Sequence, residues 1–136
     1  MRDPLLLLPG YSLRRATNAM GAELNSRLAT LELRRPGAAI LMLVDANPGI
    51  TASALGRALD IKRANMVPLL RRLEEDALIE REAIDGKSRG LTLTAAGQQR
   101  LAAARAIIDT FEAELMARIP AEHRDHLIPA LEALWR

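Results

Sequence analysis

The sequence predicts a mainly α-helical fold in which one small β-hairpin interrupts a run of short helices, with longer helices toward both ends of the chain. Three observations lead there. The composition is 49% hydrophobic but only 2% aromatic, so the core must come from Leu, Ile, Val, Ala and Met, and the many Ala, Leu, Arg and Glu residues favour helices. Apolar residues recur at intervals of three and four over most of the chain. Strand-like alternation appears around Leu78 to Ala83, followed by the turn-forming pair Asp85-Gly86. At 136 residues the chain fits one domain, large enough to bury a core without a metal or disulfide.

Taken in order, the first apolar run, Leu5 to Leu8, ends at Pro9 and Gly10. It is too short to span a membrane and lacks the shape of a signal peptide. A long helix is expected from about Tyr11 to Thr30, since Leu13, Ala16, Met20, Leu24 and Leu28 form one stripe. Tyr11, Arg15, Asn18 and Ala22 line the opposite face. Arg34, Arg35 and Pro36 interrupt the pattern, and the run from Ala38 to Ala46 is apolar almost all round, as in a short helix buried on most sides. Asn47-Pro48-Gly49 makes a turn. Thr51 is placed to cap a helix over Ala52 to Leu59 with Leu55, Ala58 and Leu59 inward.

Asp60 and Ile61 connect tightly into the next helix, Ile61 to Leu73, which reads IKRANMVPLLRRL. Ile61, Met66, Leu69, Leu70 and Leu73 anchor it, while Lys62, Arg63 and Asn65 fall at its start and on another side. Two short helices in this relation, the second offering basic and amide side chains, form a helix-turn-helix. The hairpin that follows, with strands Leu78 to Ala83 and Leu91 to Leu93 around the loop Ile84 to Gly90, is then a wing. Thr94 caps a further long helix whose stripe is Leu101, Ala104, Ile108, Phe111, Leu115 and Ile119, and Pro120 stops it. A last helix, Ala121 to Arg136, aligns Leu127, Ile128, Leu131, Leu134 and Trp135. The central unit is too small to cover the stripes at the two ends, so self-association is expected, with Leu5 to Leu8, Phe111, Leu115, Leu127, Leu131 and Trp135 in the interface.

With these elements in this order the chain resembles the MarR family of bacterial winged-helix transcriptional regulators. The segments that carry the resemblance are PGITASALGRALDI, KRANMVPLLRRLEEDALIERE and DGKSRGLTLTAAG, between Pro48 and Gly97. The resemblance implies one domain in which residues 1–34 and 99–136 form dimerisation helices and residues 35–98 the winged helix-turn-helix. It further implies a repressor released from DNA by a small, often aromatic, carboxylate, while the lack of cysteine makes a reducing cytoplasm the simplest compartment. The sequence departs from the family pattern at three places. Lys87 stands where the wing usually has Arg, so Arg89 takes that arginine's task; Pro68 sits inside the recognition helix, where a kink or distorted turn is expected; and Ala77 replaces the Gly that ends that helix in a left-handed conformation, at a cost of about 1 kcal/mol.

The partners expected are therefore double-stranded DNA, a second copy of the chain and a small-molecule effector, with no membrane, metal or cofactor. Lys62, Arg63, Asn65, Arg72, Lys87 and Arg89 are the expected DNA contacts. Arg and Asn match guanine and adenine edges, whereas a lysine ammonium suits phosphate. Asp85 would be repelled by phosphate and is expected to stabilise the wing, either by pairing with Lys87 or Arg89 or by capping its own turn. Tyr11, Arg15 and Asn18 are the candidate effector contacts, offering a phenol, a fork of donors and an amide to a carboxylate. The net charge of +2 says little; local clustering matters more. The absence of cysteine removes thiolate chemistry, and no hydrolase elbow, Walker loop or dinucleotide fingerprint is present. His123 and His126, three apart, are too few for a metal site. The reading is of a non-enzyme; the alternative is a winged-helix protein-protein interaction module without sequence-specific DNA binding.

Overall fold

The structure is a computed structural model that describes all residues from Met1 to Arg136. A 3-10 turn, Pro4–Leu7, leads into α1 (Pro9–Leu28). Then come α2 (Arg35–Ala46), α3 (Ala52–Leu59), α4 (Arg63–Glu75), the strands β1 (Ile79–Ala83) and β2 (Arg89–Leu93), α5 (Ala95–Arg118) and α6 (Arg124–Glu132). The expected order of elements holds, with shifted boundaries. Pro9 starts α1 because a missing N–H and a fixed φ suit the first helical turn. Pro36 does the same for α2, which therefore opens at Arg35 rather than Ala38. The final helix is shorter than Ala121 to Arg136, because a separate 3-10 turn, Ala121–His123, precedes it and turns follow Glu132.

The core consists of 15 buried residues lying between Leu28 and Ala104. Its centre is α2, which touches α1, α3, α4, α5 and β2. That is why the apolar residues of this helix run almost all round it: Ala38, Ile40, Leu41 and Val44 are buried. On α3, Leu55 is fully buried and Leu59 half-buried, but Ala58 is exposed, so the inward face is narrower than its three expected residues. The two strands pair antiparallel from Ile79↔Leu93 to Ala83↔Arg89, which places Arg89 within β2 rather than in the loop. A bridge between Ile50 and Leu91 fastens the wing to the turn before α3.

Three residues other than glycine adopt left-handed backbone: Glu32 (φ 54), Asp60 (φ 52) and Ala77 (φ 56). Each follows a helical end and is closed by a backbone bond across it, from Leu33 to Leu28 (3.2 Å), Ile61 to Gly56 (2.9 Å) and Leu78 to Leu73 (2.9 Å). The left-handed stop at Ala77 is the one expected where glycine is replaced. The turn after α3 also explains Gly56, where an added Cβ would lie 2.9 Å from the carbonyl oxygen of Ile61. Helix α4 continues through Pro68 to Glu75. The proline is exposed, so the carbonyl of Ala64 that loses its donor lies on the outer side of the helix.

The ends of the chain are different in character. On α1, Gly21 and Leu28 are buried and Leu24 is half-buried, while Leu13 and Met20 remain exposed, so only the C-terminal half of the expected stripe packs within the chain. Leu6, Leu7, Ile128, Leu134 and Trp135 are each more than half exposed, and α6 packs chiefly on the 3-10 turn before it. Phe111 departs from the interface expectation. It is already buried, with the Arg27 guanidinium 5.5 Å from its ring centre. Arg27 is held there by Glu114 of α5 and by Glu23 at 3.0 Å, and these bonds, Glu114 first, raise its pKa above the ordinary arginine value.

Candidate nucleic-acid interface

The tight turn from α3 to α4 points the start of α4 outward. Lys62 is its N-cap rather than a helical residue, and Arg63 is its first helical residue. No side chain caps this end and no acidic residue lies in the first turn, so its free N–H groups and partial positive charge face outward. Thr51 caps α3 as expected, accepting from the Ala54 N–H at 3.1 Å.

Between α3, the start of α4 and the wing lies a cleft of about 730 Å³. Its lining includes Arg57, Lys62, Arg63, Arg81, Lys87 and Arg89, with Asp60 as the sole acid. Clustering of this kind gives a positive field that the net charge of +2 conceals. Arg81 is neutralised, since its Nε lies 2.6 Å from Glu74 on α4, and that pair ties the wing to the recognition helix. Arg57 donates to the Ser53 hydroxyl at 2.9 Å and keeps its charge free of any carboxylate. It escaped the sequence reading because a lone arginine on a short helix carries no signal until the fold turns it toward the wing.

At the wing the structure decides between the alternatives for Asp85. Its Oδ1 accepts from the N–H groups of Lys87 (2.9 Å) and Ser88 (2.8 Å), so it caps its own turn and pairs with neither cation. These two bonds, Lys87 first, hold its carboxyl below the usual carboxylate range. A depressed pKa means that the bonds steady the loop above that range and weaken as pH falls through the lowered value. Lys87 and Arg89 are both exposed and belong to none of the chain's ion pairs.

The remaining candidates are dispersed. Asn65 is exposed but outside the cleft, about 160° around α4 from Arg63 at 100° per residue. Arg72 shares that flank and is paired with Asp76 at 3.1 Å. Between the flanks runs an exposed ridge of Ala64, Pro68 and Arg71. Arg71 makes no ion pair, and its place beside Arg72 is the signal that could have identified it.

Tyr11, Arg15 and Asn18 do share one face of α1. Arg15 Nη1 donates to the Tyr11 hydroxyl at 2.9 Å, and that bond is the first cause of its raised pKa. The guanidiniums of Arg14 and Arg15 lie 5.5 and 5.8 Å from the Tyr11 ring centre. Asn18 is exposed and makes no side-chain bond within the chain. Farther along α1, the Arg35 guanidinium covers Gly21, where an added Cβ would meet it at 2.6 Å. A second cleft, of about 550 Å³, opens on a different face of α1 between Met20, Phe111, Leu115, Ile119, Arg27 and Arg118, and none of the three candidates lines it.

Residues 33–90, from just before α2 to the start of β2, match the model of the MarR family. Transcriptional regulator HosA of Escherichia coli is 34% identical over 96 residues, covering 69% of this chain and 71% of that protein. The HTH-type transcriptional repressor Rv2887 of Mycobacterium tuberculosis is 29% identical over 92% of this chain and 91% of its own length. Among solved structures, the transcriptional repressor CouR bound to a 23-mer DNA duplex superposes with a TM-score of 0.92 at 31% identity, covering 100% of this chain and 99% of that one. CouR has also been solved with p-coumaroyl-CoA and Rv2887 with salicylic acid. With its helix-turn-helix, wing and flanking helices in the same order, this chain belongs to the MarR family of winged-helix transcriptional regulators.

Proposed function

We propose that two copies of this chain form a DNA-binding repressor that a small aromatic acid or its thioester releases from a pseudo-palindromic operator. The observation that carries this reading is the cleft where α3, the start of α4 and the wing bring unpaired cations to one concave face. The likeness to DNA-bound CouR over the whole chain supports it. In this reading residues 35–98 bind DNA, and residues 1–34 and 99–136 hold the dimer. The two copies of α4 then enter successive major grooves about 34 Å apart. Arg63 and Asn65 address base edges, while Lys62, Arg57 and Lys87 take phosphates; Arg89 enters the minor groove, where a weakly hydrated guanidinium suits the negative potential. Arg72 is a subsidiary contact, since Asp76 competes for it. Asp85 positions the wing. The protein acts in the cytoplasm and catalyses no reaction.

For the effector, the ligands of CouR and Rv2887 support an aromatic acid or thioester, and the site assigned to it on this chain is the α1 face of Tyr11, Arg15 and Asn18, where Arg15 already bonds Tyr11. Arg15 is oriented by Tyr11 and belongs to no ion pair, which leaves its remaining donors for an anion. A ligand can move the two α4 helices only by its difference in affinity between the conformations. The test is fluorescence anisotropy with a duplex from the flank of the protein's own gene, titrated with salicylate and with p-coumaroyl-CoA. Wild type is expected to bind and to be released. Arg15→Ala is expected to bind DNA as well and to resist release. Undiminished ligand affinity in that variant would remove Arg15 from the site, and failure of the wild type to bind duplex DNA would remove the repressor reading.

A further inference from the structure

We propose that Asp60 is an anionic check on sequence-independent DNA binding, a carboxylate placed among the DNA-facing cations to hold down the affinity they would otherwise have for any duplex. The inference rests on the DNA-binding reading above and concerns a residue outside the expected contacts.

Asp60 is exposed and lines the cleft as its single acid, three residues before Arg63 and in company with Arg57, Lys62, Lys87 and Arg89. The fold explains the backbone at this position but not the charge. With φ 52 and ψ 44 the residue is in the left-handed region, which ends α3 and sets the angle of α4. Glycine adopts that conformation freely, and asparagine tolerates it as well as aspartate does. Either neutral residue would serve the turn.

Nor is the carboxylate engaged within the chain. It belongs to none of the seven ion pairs and accepts no hydrogen bond from a neighbouring backbone or side chain. This contrasts with Asp85, whose oxygen is occupied by two N–H groups of its own loop. An unpaired negative charge on the face that meets phosphates opposes the counterion release on which non-specific binding depends almost wholly. On an operator the base contacts of Arg63 and Asn65 remain beside that penalty. On unrelated DNA only the phosphate contacts are left to offset it. Because non-specific sites vastly outnumber operators, a lower ceiling on general affinity keeps the repressor available.

The experiment compares wild type with Asp60→Asn, which preserves size and left-handed tolerance, on the operator duplex and on an unrelated duplex of equal length over a series of salt concentrations. Asp60→Gly serves as a second variant, and circular dichroism checks the fold of both. Affinity for the unrelated duplex is expected to rise roughly three- to ten-fold at low salt, the scale of one unit-charge contact near water. Its slope of log affinity against log salt should steepen by up to about 0.9. The operator should gain no more than the same factor. Unchanged affinity and slope on the unrelated duplex would overturn the proposal. So would a loss confined to the operator, which would make Asp60 a base contact, most simply to a cytosine amino group. Absence of salt-sensitive binding by the wild type would overturn both this proposal and the reading beneath it.

Discussion

Arg63→Ala is expected to lower affinity for the cognate operator by about 1–3 kcal/mol, or about five- to 150-fold, and to flatten base preference at one position of each half-site. The expectation comes from placement. Arg63 is the first helical residue of α4, exposed, on the cleft side, and without a carboxylate partner. A guanidinium entering the major groove end-on can donate both arms to guanine O6 and N7, a geometry an ammonium cannot reproduce. The check is a mobility-shift or anisotropy series over operators substituted one base pair at a time. A loss of equal size on every sequence would make Arg63 a phosphate contact and leave base readout to the ridge of Ala64, Pro68 and Arg71 and to Asn65.

Removal of residues 120–136 is expected to give a folded monomer whose operator affinity falls roughly 10²- to 10⁴-fold, the range lost when two linked binding modules become separate. All 15 core residues lie between Leu28 and Ala104, so the truncation leaves the core intact. What it removes is Ile128, Leu131, Leu134 and Trp135, apolar side chains that the chain itself leaves exposed. Burying them against a second copy, at about 25 cal/mol per Å², is the large stabilising term still unused at this end. Light scattering at micromolar concentration is the check. A truncated chain that stays dimeric, or an intact chain that is monomeric, would contradict the assignment of the end helices to self-association.

Much of this was readable because it is local. Thr51 and Thr94 announced the starts of α3 and α5, and each accepts the N–H three residues on. The all-round apolar run of α2 foretold its central burial, and Ala77 in place of glycine still ended α4 in the left-handed region. Facts that depend on three-dimensional encounters were not readable. Phe111 looked like an interface residue because the stripe of α5 is continuous in sequence, but Arg27 from α1 closes over it. The grouping of Arg63 and Asn65 on one side of α4 failed for a different reason, since a spacing of two residues by itself puts them on different flanks. Arg57 and Asp60 were missed as cleft residues for the complementary reason: neither has a neighbour in sequence that reveals the wing standing opposite.

The most direct test of the central claim is the salt dependence of binding to the operator duplex by the full-length protein. With Arg57, Lys62 and Lys87 on phosphate in each of two protomers, about six contacts release counterions. The slope of log affinity against log salt should then be near −5, a loss of roughly 10³ between 50 and 200 mM. A slope near zero, or no measurable affinity at the lower salt, would show that this cationic cleft is not a DNA-binding surface.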